Sequence, residues 1–368
     1  MIYLDNAATT FPKPKSVIHE VTSCLKQYCG NPGRSSHRLA LAAANKIFDT
    51  RVLIAEFLHY AKCENVIFTP NATYALNMVI KGLIKEGDHC IISDLEHNSV
   101  LRPLYKAVGK SEGTISVFDS DLPLHDAITP LIRDNTRFII STLSSNVTGK
   151  IVDISELSRI AKKNNLKLII DASQYLGHRD LNLDNIYFTA LCCAGHKALF
   201  GIQGSAFAII NDSELLDTLC EGGSGIDTFS KGMPGLLPER YEAGTLSTPA
   251  IASLYAGISY IKSVGIVKIL DKLDYFTRLF SSEISSLGGI RIYGAENGII
   301  SFNAKDYNSS YVSDVLDKYG IATRAGFHCS PLIHEKLDTT ERGAVRVSLS
   351  YLNTEQEIYK LRNILKTL

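Results

Sequence analysis

The chain of 368 residues carries no excess of charge of either sign, with 38 Lys+Arg against 38 Asp+Glu. That balance gives no electrostatic pointer to nucleic acid or an anionic membrane surface, and directs attention to a small molecule or another protein as partner. No stretch approaches the roughly 18 apolar residues that a membrane span requires. The opening M-I-Y-L-D-N-A-A-T-T also lacks the basic and long apolar segments of a secretory signal, so a cytoplasmic protein is expected. C-x-x-C pairs are absent as well. The eight cysteines, at 24, 29, 63, 90, 192, 193, 220 and 329, follow no even framework, which suggests a reducing compartment and mostly structural thiols. No internal repeat or low-complexity tract is visible. What remains, 45% apolar and 21% charged residues, is the composition of a globular chain long enough for one large core or two domains.

Short apolar runs alternate with helical stretches. The runs are E-N-V-I-F-T at 64–69, H-C-I-I-S-D at 89–94, R-F-I-I-S-T at 137–142 and L-K-L-I-I-D at 166–171. Between them lie segments such as I-S-E-L-S-R-I-A-K-K, whose Ile154, Leu157, Ile160 and Ala161 share one helical face. Such alternation predicts βα units around a mostly parallel sheet, an α/β fold. After about residue 250 the texture changes to a long helical stretch from Pro249 to Leu287, strands at 290–293 and 298–303, and a helix at 309–319, the pattern of a smaller α+β domain. The Gly- and Ser-rich segment 221–235 reads as a long loop, and loops of that length in compact domains are usually functional or mobile.

Several residues stand where chemistry would be done. Lys197, in C-A-G-H-K-A-L-F-G, lies between an apolar strand and a glycine-rich turn. It is either a lysine snorkelling from a strand end or a desolvated amine able to form a Schiff base. Asp171 ends the run L-I-I-D, at the carboxyl edge of a parallel strand where open α/β sheets bind ligands; a helix N-cap is the plainer reading. Together the two suit pyridoxal phosphate, which needs an amine for its aldehyde and an acid to keep its ring nitrogen protonated. In F-T-P-N-A-T-Y-A-L-N a strand gives way to a helix start rich in hydroxyl and amide groups, fit for a phosphate or simply for capping. His97 follows a strand and could stack on a ring or shuttle protons. In R-A-G-F-H-C-S-P-L-I-H-E, Cys329 is a nucleophile, a metal ligand or a small buried residue.

The order of these features, with G-H-K, D-A-S-Q, R-Y-E-A-G-T and R-A-G-F-H-C, resembles the class V aminotransferase family and, within it, the cysteine desulfurases and selenocysteine lyases. The resemblance runs from Y-L-D-N-A-A-T-T at residue 3 to V-R-V-S-L-S-Y-L-N-T at residue 354. It implies a fold type I pyridoxal-phosphate-dependent transferase, with a mostly parallel seven-stranded sheet in a large domain over 16–250. A small C-terminal domain would span 251–368, joined through the N-terminal segment 1–15. The resemblance makes Lys197 the Schiff-base lysine, Asp171 the partner of the pyridine nitrogen, His97 the ring-stacking residue and Gln174 a contact of the phenolic oxygen. Ala72, Thr73 and His196 would surround the phosphate. Thr245 would reach the phosphate of the other subunit, which implies a homodimer. Asn146 and Arg346 would meet the substrate, Arg346 through its α-carboxylate, and His37 would line the entrance. Two departures stand out: Ala194 where many group II desulfurases have serine, and Asn71 where glycine is common.

The implied reaction converts L-cysteine to L-alanine with sulfur received by Cys329 as a persulfide, then passed to an acceptor protein or thiol. Lys197 would remove the α-proton, with His97 placed to move protons. Selenocysteine is an alternative substrate. The alternative activities are a class V transaminase, epimerase or β-lyase in which Cys329 is not needed, and a non-enzymatic sulfur carrier. The spacing H-C-x-x-x-x-H of His328, Cys329 and His334 is not an established zinc pattern, so no metal is expected.

Overall fold

The computed structural model describes residues 1–33, 36–109, 114–211 and 215–368. Its centre is a seven-stranded sheet in the order Val66–Thr69, Ala206–Ile210, Ala190–Ala194, Lys167–Asp171, Thr136–Thr142, His89–Ser93 and Ile115–Phe118. Ala206–Ile210 runs antiparallel to both its neighbours, and the other pairings are parallel. Most of these strands are buried along their whole length, as expected where helices cover both faces of a parallel sheet. Alternate side chains feed two apolar layers: Leu168 and Ile170 enter one, Ile169 the other. The expected strands at 64–69, 89–94, 137–142 and 166–171 all fall in this sheet.

The helix over Ile154–Lys163 begins where Asp153 accepts the Ser155 and Glu156 amides, and buries Ile154, Leu157, Ile160 and Ala161. The helical stretch expected from Pro249 to Leu287 is two helices, Thr248–Val264 and Ile266–Ser285, bent by 81°. Gly265 makes the corner with φ 91°, a conformation open to glycine and costly for other residues. The first helix packs on Lys15–Ser23 and Arg38–Phe57, the second on the small sheet, and residue 251 lies inside the first. That small sheet is antiparallel, in the order Arg324–Gly326, Ala344–Ser348, Ile299–Ala304 and Ile290–Glu296. Ile2–Tyr3 pairs in parallel with Ile321–Ala322, which ties the first residues to the C-terminal part. No single helix among the described residues is long and apolar enough to cross a membrane.

A buried ion pair fixes the sheet's edge. Arg51, from the helix Arg38–Phe57, donates to the Val66 carbonyl and to Glu242, whose other oxygen accepts the Phe68 amide at 2.6 Å. Both side chains are nearly inaccessible, at 6% and 7%. Truncation of Arg51 leaves the buried Glu242 with the Phe68 amide but without its counter-charge. Arg51→Ala is expected to lower the unfolding free energy by about 3–5 kcal/mol, read from urea denaturation, with the loss concentrated in stability rather than in fold content.

Candidate active site

The carboxyl edge of the large sheet floors a cleft of about 200 Å³ lined by Lys197, Asp171, His97, Gln174, Asn146, Arg346 and others. Asp171 is the last residue of its strand, in register with Thr142 and Cys192, and its Oδ1 accepts the Ser173 amide at 2.9 Å. Lys197 sits on the turn joining the strands Ala190–Ala194 and Ala206–Ile210. That turn closes on itself through Gly201 N–H to the Gly195 carbonyl at 2.8 Å. A Cβ on Gly195 would lie 2.6 Å from the Ser205 hydroxyl, so the close approach needs glycine.

The N-terminal segment wraps this turn from outside. The Thr10 hydroxyl donates to the Lys197 carbonyl at 2.7 Å, and Lys13 Nζ to the His196 carbonyl at 2.7 Å. Withdrawal from water holds the Lys197 amine below the ordinary lysine range, against the opposing pull of Asp171. Burial takes Lys13 down to about 8 and His196 to about 4.

Two helix starts point at the cleft. Asn71 caps Ala72–Leu83 by accepting the Tyr74 amide at 2.8 Å, and the amides of Ala72 and Thr73, both lining the cleft, have no acceptor among the described residues. Asn71 has extended backbone, so its replacement of glycine carries no strain. His97 caps Asn98–Ala107 through Nδ1, which accepts the Ser99 amide at 3.0 Å. The ring proton is therefore on Nε2. Desolvation, then the nearby Lys197 charge, lowers His97 to about 4, so the ring is neutral.

The third wall comes from the small sheet. Arg346 is 1% exposed and donates to Asp5 at 2.8 Å and to the Asn146 carbonyl at 3.0 Å. Directly across the strands lies Arg324, also in the cleft. Beyond it the chain turns at His328 and Cys329 with φ 50° and 59°, two consecutive left-handed residues without glycine, a conformation kept where neighbours hold it. Asn146 donates to the His328 carbonyl at 2.7 Å and accepts from Ser330 at 2.7 Å, while the Asn98 amide donates to the Cys329 carbonyl at 2.7 Å. Downstream, Lys336 meets Asp94 and Asp121, each at 2.7 Å.

Cys329 is exposed, in a groove that shares Thr73, His97 and Ser99 with the cleft. His328 and His334 stack with ring centroids 5.4 Å apart and hydrogen-bond to each other. Among the described residues, no group of three or more His, Cys, Asp or Glu could hold a metal.

The cleft thus gathers Ala72, Thr73, His97, Asn146, Asp171, Gln174, His196, Lys197 and Arg346. Of the residues singled out from the sequence, His37 and Thr245 lie outside this chain's own cleft. The Asn146 amide is spent on the Cys329 turn, and Gln174 Nε2 on the Ala7 carbonyl at 2.9 Å. His37 is exposed and caps the helix Arg38–Phe57 through the Ala40 amide. Thr245 lies exposed in a different pocket, beside Glu242. Sequence reasoning missed Arg324, although it opens the R-A-G-F-H-C motif, and missed Glu96, which stands beside His97.

Glu96 is fully buried, with Oε1 bonded to the Thr142 amide at 2.8 Å and Oε2 without a partner. Burial pushes its carboxyl up to about 8. A carboxyl raised in the folded state holds its proton longer there than in the unfolded chain. Its contribution is therefore most favourable at acid pH and is lost as pH rises toward 8. Glu96→Gln, which keeps the shape without the charge, should be more stable than wild type at pH 8, with the advantage shrinking toward pH 5 in thermal melts.

The comparisons with known proteins agree with this geometry. The chain is 30% identical over 377 residues to a probable cysteine desulfurase of Methanothermobacter thermautotrophicus, covering 99% of this chain and 94% of that one. It is 29% identical to a probable cysteine desulfurase of Pyrococcus abyssi, covering 100% and 94%. An apo cysteine desulfurase structure from Thermococcus onnurineus superposes with TM-score 0.90 at 26% identity, covering 100% and 94%. A cysteine desulfurase from Escherichia coli shares the fold, with TM-score 0.87 at 22% identity over 99% and 94%. The family model described as aminotransferase class-V matches residues 2–361, and with the fold type I sheet and cleft described above the chain belongs to the class-V aminotransferase family.

Proposed function

We propose that this chain is a pyridoxal-phosphate-dependent cysteine desulfurase that moves the sulfur of L-cysteine onto Cys329 and releases L-alanine. The observation that carries the reading is the meeting of Cys329, on a turn pinned by Asn98 and Asn146, with the rim of a cleft holding Lys197 and Asp171. The names of the relatives support it.

The residues present fit the cofactor. The free amides of Ala72 and Thr73 and the buried, unpartnered His196 Nδ1 suit a phosphate, and Lys197 supplies an amine for the aldehyde. Asp171 would hold a proton on the ring nitrogen, and the neutral His97 ring would lie over the ring face. When bound, pyridoxal phosphate supplies an electron sink conjugated with the substrate Cα. Arg346 and Arg324 orient the substrate carboxylate, and Lys197 takes the Cα proton. The Cys329 thiolate attacks the substrate sulfur: an S–S bond forms, the C–S bond breaks, and its electron pair stays with the substrate carbon, which gains a proton on the way to alanine. A thiol acceptor then takes the sulfur.

A homodimer completes the reading. Ile18, Leu25, Leu39, Leu41 and Phe48 are large, apolar and more than half exposed on the first helices, an apolar surface that a second copy would cover. Thr245 of each chain would then reach the other's phosphate. Eight cysteines without a disulfide suit a cytoplasmic setting.

Cys329→Ser should lose sulfide and alanine formation from L-cysteine by about 10²–10⁴-fold while still binding the amino acid, assayed with reductant across cysteine, selenocysteine and cystine. Undiminished turnover would remove Cys329 from the chemistry. Because His97 is already neutral above about pH 4, kcat/KM should show no acid limb in the ordinary histidine range, and any loss from protonating His97 should appear near pH 4. A limb near pH 6.5 that vanishes in His97→Asn would contradict this assignment.

A further inference from the structure

Beside the cleft lies the groove that holds Cys329, about 370 Å³ in volume, between the helices Ala72–Leu83 and Asn98–Ala107. The two helices pack on each other, and both begin at the cleft. The Asn98 amide donates to the Cys329 carbonyl at 2.7 Å, which sets the cysteine at the first turn of the second helix. From Asn98 the groove is lined at steps of four by Arg102 and Lys106, and from Thr73 on the other helix by Asn77 and Lys81, so each set shares one helical face. Thr73 to Lys81 and Asn98 to Lys106 are 8 residues each, a helical rise of about 12 Å. The groove thus runs from the thiol at one end to two lysines at the other.

The lining carries Lys81, Arg102 and Lys106 and no Asp or Glu. Arg102 and Lys106 are exposed and Lys81 is half-buried, and none of the three has a carboxylate or hydrogen-bond partner among the described residues. Other surface cations are answered, as Lys85 is by Asp217, Lys150 by Asp121 and Arg159 by Glu156. The chain as a whole has a formal net charge of zero, so the unanswered positive charge of the groove is a local feature and not part of a general basic character. It begins at the one atom from which sulfur has to leave.

We propose that this groove receives the sulfur acceptor, a protein that presents its thiol on an extended segment with acidic side chains about three residues away. An extended chain advances about 3.3 Å per residue, so three or four residues span the groove. Carboxylates then meet Lys81, Arg102 and Lys106 while the thiol meets Cys329. The acceptor thiolate attacks the outer sulfur of the Cys329 persulfide. A new S–S bond forms, the bond from that sulfur to Cys329 Sγ breaks, and its electron pair returns Cys329 to a thiolate. The acceptor leaves as the persulfide, its thiol proton having passed to solvent, and no oxidant is consumed. The inference rests on the desulfurase reading and deepens it by giving the acceptor its chemistry. The three cations touch neither the substrate nor the reacting atoms; they form a docking surface.

Blocked peptides with a central cysteine and, three residues to each side, glutamate, glutamine or lysine test it. Holoenzyme loaded with sulfur from L-cysteine and freed of excess is mixed with each peptide, and peptide persulfide is followed by mass spectrometry. Each rate is divided by that peptide's rate with a small disulfide in solution, which removes differences in thiol reactivity. Wild type should favour the glutamate peptide over the lysine peptide by about tenfold or more at low ionic strength, and the preference should collapse in about 0.5 M salt. Lys81→Glu with Lys106→Glu should reverse the order, and Lys81→Met with Lys106→Met should abolish it, both leaving alanine formation with uncharged dithiothreitol within about twofold of wild type. Equal rates in wild type, or a preference unmoved in either double variant, would overturn the proposal. So would mercaptosuccinate matching the glutamate peptide, which would make the occupant a small acid, or a changed oligomeric state in the double variants, which would give the groove to a second copy. An enzyme that forms no alanine with dithiothreitol would count against the desulfurase reading instead, and calorimetric binding of the same peptides with serine for cysteine would still decide the groove.

Discussion

Desolvation at the carboxyl edge of the large sheet governs the chemistry of this site. Charged groups withdrawn from water must either find a counter-charge or give up their charge. Lys197, Arg324 and Arg346 bring positive charge to the cleft, and Asp171 and Asp5 answer it. The other titratable groups yield instead: His97, His196 and His328 are driven neutral, and Glu96 is driven toward its protonated form. The result is a cleft whose hydrogen-bond donors and acceptors are fixed before a ligand arrives, which is what pre-organised electrostatic catalysis requires.

The same edge is where the two parts of the chain are joined. The first thirteen residues pair with Ile321–Ala322, pass Asp5 behind Arg346, and lay Thr10 and Lys13 over the lysine turn. The small sheet contributes the arginines and the Cys329 turn, and Lys336 ties the helix after that turn back to Asp94 at the end of a large-sheet strand. A shift of one part against the other would therefore move the amine, the carboxylate clamp and the thiol together.

The legible part of the sequence was the part whose signal is local. Asp171 and Lys197 could be found because each follows a fully apolar strand and sits in a short motif, and the α/β class followed from the alternation of elements. Contacts between distant segments were not legible. Asp5 and Arg346 are 341 residues apart, and the opposition of Arg324 to Arg346 depends on a strand register that no local pattern encodes. The corner at Gly265 hid inside a continuous helical pattern, and the left-handed turn at His328 and Cys329 uses two non-glycine residues in succession. The further contacts of Asn146 and His37 were equally hidden: one lines the cleft and also holds the thiol turn, and the other caps a helix. Glu96 was passed over because a carboxylate beside a histidine looks like a solvated loop until its burial is seen.

The claim on which the account turns is that sulfur leaves L-cysteine onto one thiol. Mass spectrometry of peptides from the holoenzyme, after exposure to L-cysteine without reductant, reads this directly. The account predicts one added sulfur atom on the peptide containing Cys329 and none on those containing the other seven cysteines. L-Alanine released in amounts matching enzyme, with Cys329 unmodified and the sulfur found free or on another residue, would contradict it.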